Sequence, residues 1–274
     1  MRILLVTYNV LFGYDKRVFD SLKAIRDQSN KYTHAIIALQ EVRNKTIKDK
    51  LPETIQKLFP GFYTAQLVSP KPSLNDLGLM TLSRMPVMDT TPVLLPKLAK
   101  RLLNLQSLFL KSIPQYAALV TRFAVGRKIL RVTNLHLNVL GGIPHKKKQM
   151  ARILEYFQIA SADYDIVCGD FNTIGPLRIQ GKSVQRQKNV ILKQLGRDFN
   201  EVPIPSWTCD ISDTTSPLLP ASKFIYKTFK KTRIQFRQKL DWVFVRGFKS
   251  AKASVRHDLA GSDHYPIFAI LQTT

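Results

Sequence analysis

The hydrophobic pattern predicts a chain in which short apolar strands alternate with amphipathic helices. Residues 2–8 and 34–39 are apolar runs of strand length, and between them Val18, Leu22 and Ile25 recur at helical spacing. The chain therefore opens with a strand, a helix and a second strand, an order typical of two neighbouring strands covered by a helix. Eight further strands are predicted at 62–68, 77–83, 116–124, 128–135, 164–168, 240–246, 252–257 and 265–271.

Three further helices and one tight turn complete this pattern. We expect helices over 47–58, 145–160 and 184–195, and a hairpin turn at 125–127 between two of the strands. Many strands with helices in each half indicate two sheets packed together with helices outside. Neither an internal repeat nor a linker rich in Gly or Ser interrupts the pattern, so we predict a single domain over residues 1–274.

Two segments differ from the rest in composition. Residues 94–113 are rich in leucine, carry several lysines and arginines and lie between prolines, so we predict an apolar helix edged with cations. Such a helix packs on a sheet or lies in an anionic membrane interface. Residues 223–239 contain seven basic and four aromatic side chains and no acid. They fit either a solvated pair of strands or a surface that binds a polyanion and stacks on unpaired bases.

Charge and composition exclude some classes of protein and favour others. Lys and Arg number 42 against 19 Asp and Glu, a net charge of +23, while 45% of residues are hydrophobic. That apolar fraction supports a core and excludes intrinsic disorder, and the excess positive charge favours nucleic acid first and an anionic membrane second. The two cysteines, Cys168 and Cys209, form neither a disulfide framework nor a zinc pattern. Because no signal sequence or membrane span is evident, we expect a soluble, cytoplasmic protein, and a monomer.

Polar side chains stand at the ends of the predicted strands. They are Asn9, Glu41, His136, Asp170, Asn172, Asp241, Asp263 and His264. Singly, each fits a helix cap, a turn or a hydrogen-bonded core imidazole. Together they are less easily explained that way, because a chain so short of acids places four carboxylates beside apolar strands, where they need a cation or a histidine as partner. Ligands collect at strand ends in such sheets, so we expect one pocket.

Seven short motifs around these residues resemble the endonuclease/exonuclease/phosphatase superfamily, and they occur in the order typical of that family. The motifs are Thr7-Tyr-Asn-Val10, Leu39-Gln-Glu-Val42, Gly78-Leu-Met-Thr-Leu-Ser-Arg-Met-Pro86, Asn134-Leu-His-Leu137, Gly169-Asp-Phe-Asn172, Leu240-Asp-Trp-Val-Phe244 and Gly261-Ser-Asp-His-Tyr-Pro266. The resemblance implies an α/β fold, a four-layered α/β/β/α sandwich with two mixed sheets packed face to face. It also implies Mg²⁺-dependent hydrolysis of a phosphoester at the edge of the sandwich.

The resemblance also implies a role for each motif residue. Glu41, with Asn9 and Asp263, is expected to hold Mg²⁺, for which Mn²⁺ would substitute. The family also implies the catalytic set. Asp170 orients or deprotonates the attacking water, Asn172 holds that water or a phosphate oxygen, and His264 contacts the phosphate with Asp241 fixing its tautomer. His136 is either a second donor to the phosphate or the acid that protonates the leaving oxygen, and the motifs leave open which histidine does which.

The substrate is predicted from charge rather than from motifs. Basic segments follow Asn172 and precede Asp241, which fits a nucleic acid lying across the site. The candidate substrate-binding residues are Arg178, Lys182, Lys230, Lys231 and Arg233. Residues 146–148, three lysines after His136, fit either phosphate contacts or a solvated turn. We therefore predict a DNA endonuclease or exonuclease; the alternatives are a phospholipid or sphingomyelin phosphodiesterase, for which 94–113 is the support, and a polyanion-binding module without catalysis.

Overall fold

The computed structural model describes residues 1–13, 15–43, 50–68, 78–98, 116–174, 180–210 and 237–273. Four α-helices and fourteen β-strands lie in these ranges. The helices are α1 (Arg17–Ser29), α2 (Leu51–Leu58), α3 (Gly142–Ile159) and α4 (Gln180–Leu195). The strands are β1 (Arg2–Asn9), β2 (Ala35–Gln40), β3 (Tyr63–Leu67), β4 (Leu79–Ser83), β5 (Val87–Leu94), β6 (Ala117–Val125), β7 (Lys128–His136), β8 (Tyr164–Asp170), β9 (Asn200–Glu201), β10 (Cys209–Asp210), β11 (Arg237–Gln238), β12 (Asp241–Arg246), β13 (Phe248–Val255) and β14 (Ile267–Thr273).

Twelve of the strands form two six-stranded mixed sheets. The first has the order β13-β14-β1-β2-β4-β3, and the second has the order β5-β6-β7-β8-β12-β9. One neighbouring pair in each sheet is parallel, β1 with β2 and β7 with β8, and the other pairs are antiparallel. Each parallel pair encloses a helix in sequence, α1 or α3, as the crossover between parallel strands requires.

The two sheets pack face to face, and helices cover both outer faces. Ile3 and Leu5 of β1 meet Val132 of β7 and Ile166 of β8 in the central core. A second apolar cluster joins α1 and α2 to the outer face of the first sheet, and a third joins α3 and α4 to the second sheet. Because the central strands are covered on both faces, β1 and β2 are largely apolar rather than alternating. The expected four-layered α/β/β/α sandwich is confirmed.

Most predicted elements are present, with boundaries displaced by a few residues. Helices α3 and α4 begin three and four residues before their predicted starts, and β13 begins at Phe248 rather than at 252. Strand β5 was not predicted at all. It contains Pro92 and Asp89 and lies at the edge of its sheet, where only one of its eight residues is buried and no clear alternation develops.

The predicted helix over 94–113 is wrong at its first residues. Leu94 is the last residue of β5, and residues 95–98 continue as irregular chain, with Leu95 and Leu98 buried. The remainder of that segment lies outside the described residues. So does most of the basic segment 223–239, of which 237–239 are described.

Among the described helices, none combines the length and the apolar character that a bilayer crossing needs. Cys168 is buried, and burial raises the pKa of its thiol to about 12, in keeping with a small core residue.

Candidate active site

The strand register brings three predicted site residues into one row of the second sheet. His136 is the last residue of β7 and pairs with Asp170 at the end of the parallel strand β8. Asp241 opens the antiparallel strand β12 and pairs with Asp170 from the other side. In the first sheet, Asn9 at the end of β1 pairs with Gln40 at the end of β2, next to Glu41. All five groups therefore reach the same edge of the sandwich.

Left-handed backbone at this edge aims two of the side chains. Glu41 has φ 59° and Asn172 has φ 49°, values that L-residues other than Asn adopt at a cost of about 1–3 kcal/mol. The strained peptide at Glu41 is held by neighbours on both sides. Its carbonyl accepts the N–H of Phe12 at 3.2 Å, and the N–H of Val42 bonds to Gly78 O at 2.9 Å. Such strain concentrates at functional sites.

Gly169 makes room for the β8 strand end. Its φ is 133°, and a Cβ atom there would lie 2.1 Å from the carbonyl oxygen of Leu135 on the neighbouring strand β7. Only glycine combines that backbone angle with so close an approach. In the Gly-Asp-Phe-Asn motif, Gly169 is therefore needed for packing, and Asp170 supplies the carboxylate of the site.

Asn9 joins the two sheets at the site. Its Nδ2 donates to Glu41 Oε1 at 3.1 Å and to Asp170 Oδ2 at 3.2 Å, while its Oδ1 accepts the N–H of Leu11 at 3.0 Å. The amide thus presents its nitrogen to both carboxylates and orients Glu41. The residue is buried, so these hydrogen bonds are protected from water.

Asp170 is the centre of the site. Its Oδ2 lies 3.2 Å from Asn9 Nδ2, 3.5 Å from His136 Nε2 and 3.6 Å from His264 Nε2, and its Oδ1 accepts the backbone N–H of Asn172 at 2.8 Å. Only 1% of the residue is exposed. Four separate parts of the chain therefore meet at one buried carboxylate, as the motif series implied.

His264 and Asp241 form a buried ion pair. His264 Nδ1 lies 2.8 Å from Asp241 Oδ2, and Thr208 Oγ1 accepts the backbone N–H of Asp241 at 3.1 Å. Although burial opposes a charge on the ring, Asp241 and other neighbours raise the pKa of His264 well above its ordinary 6.5. Burial raises the pKa of Asp241 to about 6, which is still below neutral. At pH 7 the pair is therefore imidazolium and carboxylate, with Nε2 directed at Asp170.

His136 has the opposite protonation state. Burial lowers the pKa of His136 to about 4, and the attraction of Asp170 offsets only part of that effect. The ring is neutral at pH 7 and stands edge-on to Tyr116, with ring centroids 5.5 Å apart. The two imidazoles beside Asp170 thus differ in charge, because His264 has a carboxylate at its far nitrogen. His136 Nδ1 has no hydrogen-bond partner among the described residues.

Glu41 is the strongest candidate to hold a divalent cation. Its Oε2 is buried and has no hydrogen-bond partner within the described part of the chain. Burial and the nearby carboxylate of Asp263 raise the pKa of Glu41 to about 8, and the pKa of Asp263 is also raised, first by burial. Clustered, poorly solvated carboxylates of this kind are relieved by a hard cation such as Mg²⁺. The residues therefore fit a divalent metal.

A second group of ligand atoms fits a metal less well. Asp170, Asp241 and His264 each place one ligand atom within 4.8 Å of the others. However, Asp241 and His264 are already paired with one another, and a protonated imidazole does not bind a cation. Glu41 and Asp263 remain the better pair.

Of the remaining predicted residues, Asn172 contacts Asp170 through its backbone N–H, and its side chain is bonded elsewhere. Asn172 donates its Nδ2 to Leu137 O at 2.9 Å, so its amide nitrogen secures the turn after β7. Lys182 is exposed on α4, and Arg178, Lys230, Lys231 and Arg233 lie outside the described residues. Lys188, part of the basic segment after Asn172, bonds to Glu201 at 2.6 Å instead of facing solvent.

Sequence reasoning missed Thr208, and it expected Lys146 at a phosphate contact or in a solvated turn, whereas Lys146 is buried. Thr208 accepts the N–H groups of both Leu240 and Asp241, and Lys146 is buried although two exposed lysines follow it. A threonine between Trp207 and Cys209 carries no signal by itself. Lys146 lies one helical turn before Gln149, also buried, and that spacing was the available sign that both face the sheet.

Acidic and imidazole groups at one edge of an α/β/β/α sandwich define a class of phosphoester hydrolases, and comparison places the chain in it. The model of the Endonuclease/Exonuclease/phosphatase family matches residues 6–264, so the chain belongs to this family. Its members hydrolyse phosphoester bonds and generally depend on a divalent metal. No curated protein matches the chain in sequence.

Solved structures of the family agree with the fold. An endonuclease/exonuclease/phosphatase from Bacteroides vulgatus has a TM-score of 0.65 at 14% identity, with 100% of both chains covered. A family protein from Leptotrichia buccalis has a TM-score of 0.62 at 16% identity, covering 98% of this chain and 99% of that one. D. rerio TDP2, complexed with a single-strand DNA product, has a TM-score of 0.62 at 13% identity and covers 99% of each chain. At such identities the similarity establishes the fold alone.

Proposed function

We propose that the protein is a Mg²⁺-dependent phosphodiesterase that cleaves nucleic-acid phosphodiester bonds. The observation that carries this proposal is the surroundings of Asp170 Oδ2, where Asn9, His136 and His264 lie within 3.6 Å of one buried oxygen. Phosphodiester hydrolysis needs an activated water, donors to the phosphoryl oxygens and help for the leaving oxygen. Asp170 is suited to the first of these requirements and the two imidazoles to the second, and His136 is the candidate for the third.

The role of each protein group in the reaction follows from its charge. The carboxylate of Asp170 orients the attacking water and accepts its proton at Oδ2. The imidazolium of His264 donates from Nε2 to a phosphoryl oxygen, and Asp241 keeps that ring charged and turned toward the site. His136, neutral in the free protein, donates a second hydrogen bond to the phosphate.

The metal role falls on Glu41 and Asp263, with Asn9 holding Glu41 in place. A divalent ion bound there would act as a Lewis acid on the phosphoryl oxygens. Because Glu41 has a pKa of about 8 without a cation, the carboxylate must lose its proton to serve, and it is prepared to do so by the donor bond from Asn9.

Charge outside the site favours a polyanionic substrate. The chain carries a net charge of +23, and the exposed side of α4 presents Lys182, Arg186 and Lys193 with the amides Gln185 and Asn189 between them. Helix α4 contains no acid, so nothing on this helix neutralises the stripe. Phosphate backbones bind such surfaces with a strong salt dependence. TDP2 of D. rerio, with its single-strand DNA product, is one relative of this fold that contacts nucleic acid.

Parallel incubations with four substrates test the proposal. Labelled single-stranded DNA, duplex DNA, RNA and sphingomyelin vesicles are each mixed with the protein in Mg²⁺ and in EDTA. We expect cleavage of a nucleic acid that EDTA abolishes and Mg²⁺ or Mn²⁺ restores. Turnover of vesicles alone would instead identify a lipid phosphodiesterase, and binding without turnover under any divalent metal would identify a module without catalysis.

Variants connect that activity to the described edge. Glu41→Ala, Asp170→Asn and His264→Ala should each remove most turnover while circular dichroism shows that the native fold is retained, whereas the exposed Asp20→Asn should behave as wild type. The double variant Lys182→Ala/Arg186→Ala should flatten the plot of log affinity against log salt by about 1–2 units. Wild-type hydrolysis in all three site variants would exclude the proposed site.

A further inference from the structure

Three lysines follow one another at the start of α3, and the structure treats them differently. Lys147 and Lys148 are exposed, whereas Lys146 is only 2% exposed. Its Nζ donates to the carbonyl oxygen of Asn138 at 2.9 Å, which is its one hydrogen bond to the described residues. Lysine is almost never fully buried, because taking an ammonium out of water is expensive. Because burying the ammonium of Lys146 is costly, we expect this charge to have a function.

The bond from Lys146 ends on the turn that follows His136. Strand β7 stops at His136, and the backbone of the next two residues is bonded at every polar atom. Leu137 N–H donates to Asp170 O at 2.8 Å, and Leu137 O accepts Asn172 Nδ2 at 2.9 Å. Asn138 N–H donates to Gln149 Oε1 at 3.1 Å, and Asn138 O accepts Lys146 Nζ.

Two of those four bonds come from one face of α3. Lys146 and Gln149 are three residues apart, so they lie on the same side of the helix and reach the two backbone polar atoms of one residue, Asn138. Both are buried. Helix α3 therefore clamps the His136 turn from outside the sheet, while Asp170 and Asn172 hold it from inside.

The clamp is matched to the electrostatics of the site. At a pKa of about 8, lowered by burial, Lys146 is an ammonium at pH 7, and it attracts the carboxylate of Asp170. It also disfavours a charge on His136. A methionine, one atom shorter than lysine, would fill most of this space without desolvating a charge, so packing alone does not explain the lysine.

We propose that Lys146 is a positioning residue for the active site: its ammonium fixes the Asn138 carbonyl and thereby holds His136 in contact range of Asp170. It has no contact with the reacting atoms in this account. The kinetic part of the inference rests on the proposed phosphodiesterase activity, and the structural part stands independently of it.

The kinetic test uses three variants of the full chain. Lys146→Met keeps the apolar contacts of the side chain but removes the ammonium and its hydrogen bond, Lys146→Arg restores a cationic donor, and Lys147→Met is the exposed control. We expect Lys146→Met to lower kcat about 10–100-fold with KM within a factor of two, and Lys146→Arg to recover most of the loss. Lys147→Met should match wild type. A change in KM alone would place Lys146 on the substrate and overturn the proposal.

A spectroscopic test needs no activity. In protein with ¹⁵N-labelled histidine at fixed pH, Lys146→Met should shift the ring signals of His136, and Lys147→Met should not. The signals of His34 and His257 serve as internal controls. Gln149→Met, which removes the bond to Asn138 N–H, should reproduce the His136 shift through the other half of the clamp. Unmoved His136 signals in both variants would refute the positioning role, whether or not the protein proves to be a phosphodiesterase.

Discussion

Replacing Asp241 by asparagine isolates one charge in the centre of the site. Asn is nearly isosteric with Asp and still accepts a hydrogen bond from His264 Nδ1, which lies 2.8 Å from Asp241 Oδ2. The substitution therefore keeps the geometry and removes the anion that holds His264 protonated. We expect Asp241→Asn to leave His264 neutral at pH 7.5, whereas the wild-type ring is cationic there because its pKa is raised.

The expected size of the effect follows from the distance and the burial. Unit charges 2.8 Å apart attract by about 6 kcal/mol at an effective dielectric constant of about 20, and desolvation of two buried groups cancels much of this. A hydrogen bond to a charged group contributes about 1.5–3 kcal/mol net. Asp241→Asn should therefore lower the free energy of unfolding by about 2 kcal/mol at pH 7, and turnover by about 10²–10⁴-fold if His264 must be charged.

The pH dependence has a defined sign. A histidine whose folded-state pKa lies above its ordinary 6.5 stabilises the fold fully below that value and loses the contribution as pH rises through the raised pKa. The stability gap between wild type and Asp241→Asn should therefore be larger at pH 7 than at pH 10. Urea unfolding at both pH values measures the gap, and ¹⁵N signals of the imidazole report its charge. A cationic His264 in the variant at pH 7.5, with unchanged turnover, would refute this reasoning.

Three further substitutions test other parts of the edge. His136→Gln should remove a pH-dependent loss of stability: because the folded-state pKa of His136 is about 4 against 6.5 ordinarily, wild type should lose about 2 kcal/mol more than the variant between pH 7 and pH 5 in urea titrations. Glu41→Gln should stabilise the metal-free protein by about 2–5 kcal/mol at pH 9, since the pKa of Glu41 is raised from 4.5 to about 8, and the gain should vanish below pH 4.5; an equal gain at pH 4 would contradict it. Gly169→Ala should cost at least about 3 kcal/mol, because its Cβ would lie 2.1 Å from Leu135 O, whereas Gly181→Ala in open space on α4 should be neutral or stabilising by up to about 1 kcal/mol in thermal unfolding.

The helices and strands that were predicted correctly are those whose hydrophobic pattern is visible within a short stretch of sequence. Strands β1 and β2 carry apolar residues on both faces, and that run of hydrophobic residues is visible without any knowledge of the fold. Strand β5 lacks such a run because it lies at the exposed edge of its sheet, so its composition does not indicate a strand. Residues 94–98 were predicted helical from their leucines, but Leu95 and Leu98 are buried from irregular chain instead.

For the site residues, too, local properties could be predicted from the sequence and non-local properties could not. Motifs that stand where apolar runs end were sufficient to name Asn9, Glu41, Asp170 and His264, because the residue type and its place at a strand end are local properties. The charge state of each group is not local. His136 and His264 are identical side chains in similar motifs, yet one has a pKa of about 4 and the other a raised pKa, because only His264 has a carboxylate at Nδ1.

The amino-acid sequence by itself determined the alternation of elements, the excess of positive charge and the identity of the acids and imidazoles at the strand ends. Only the tertiary structure decided which of those groups meet at Asp170, that Asn9 orients Glu41, and that Lys146 is buried while Lys147 is exposed. The physical reason is that hydrophobic periodicity acts between residues close in sequence, whereas desolvation and charge coupling depend on neighbours brought from distant parts of the chain.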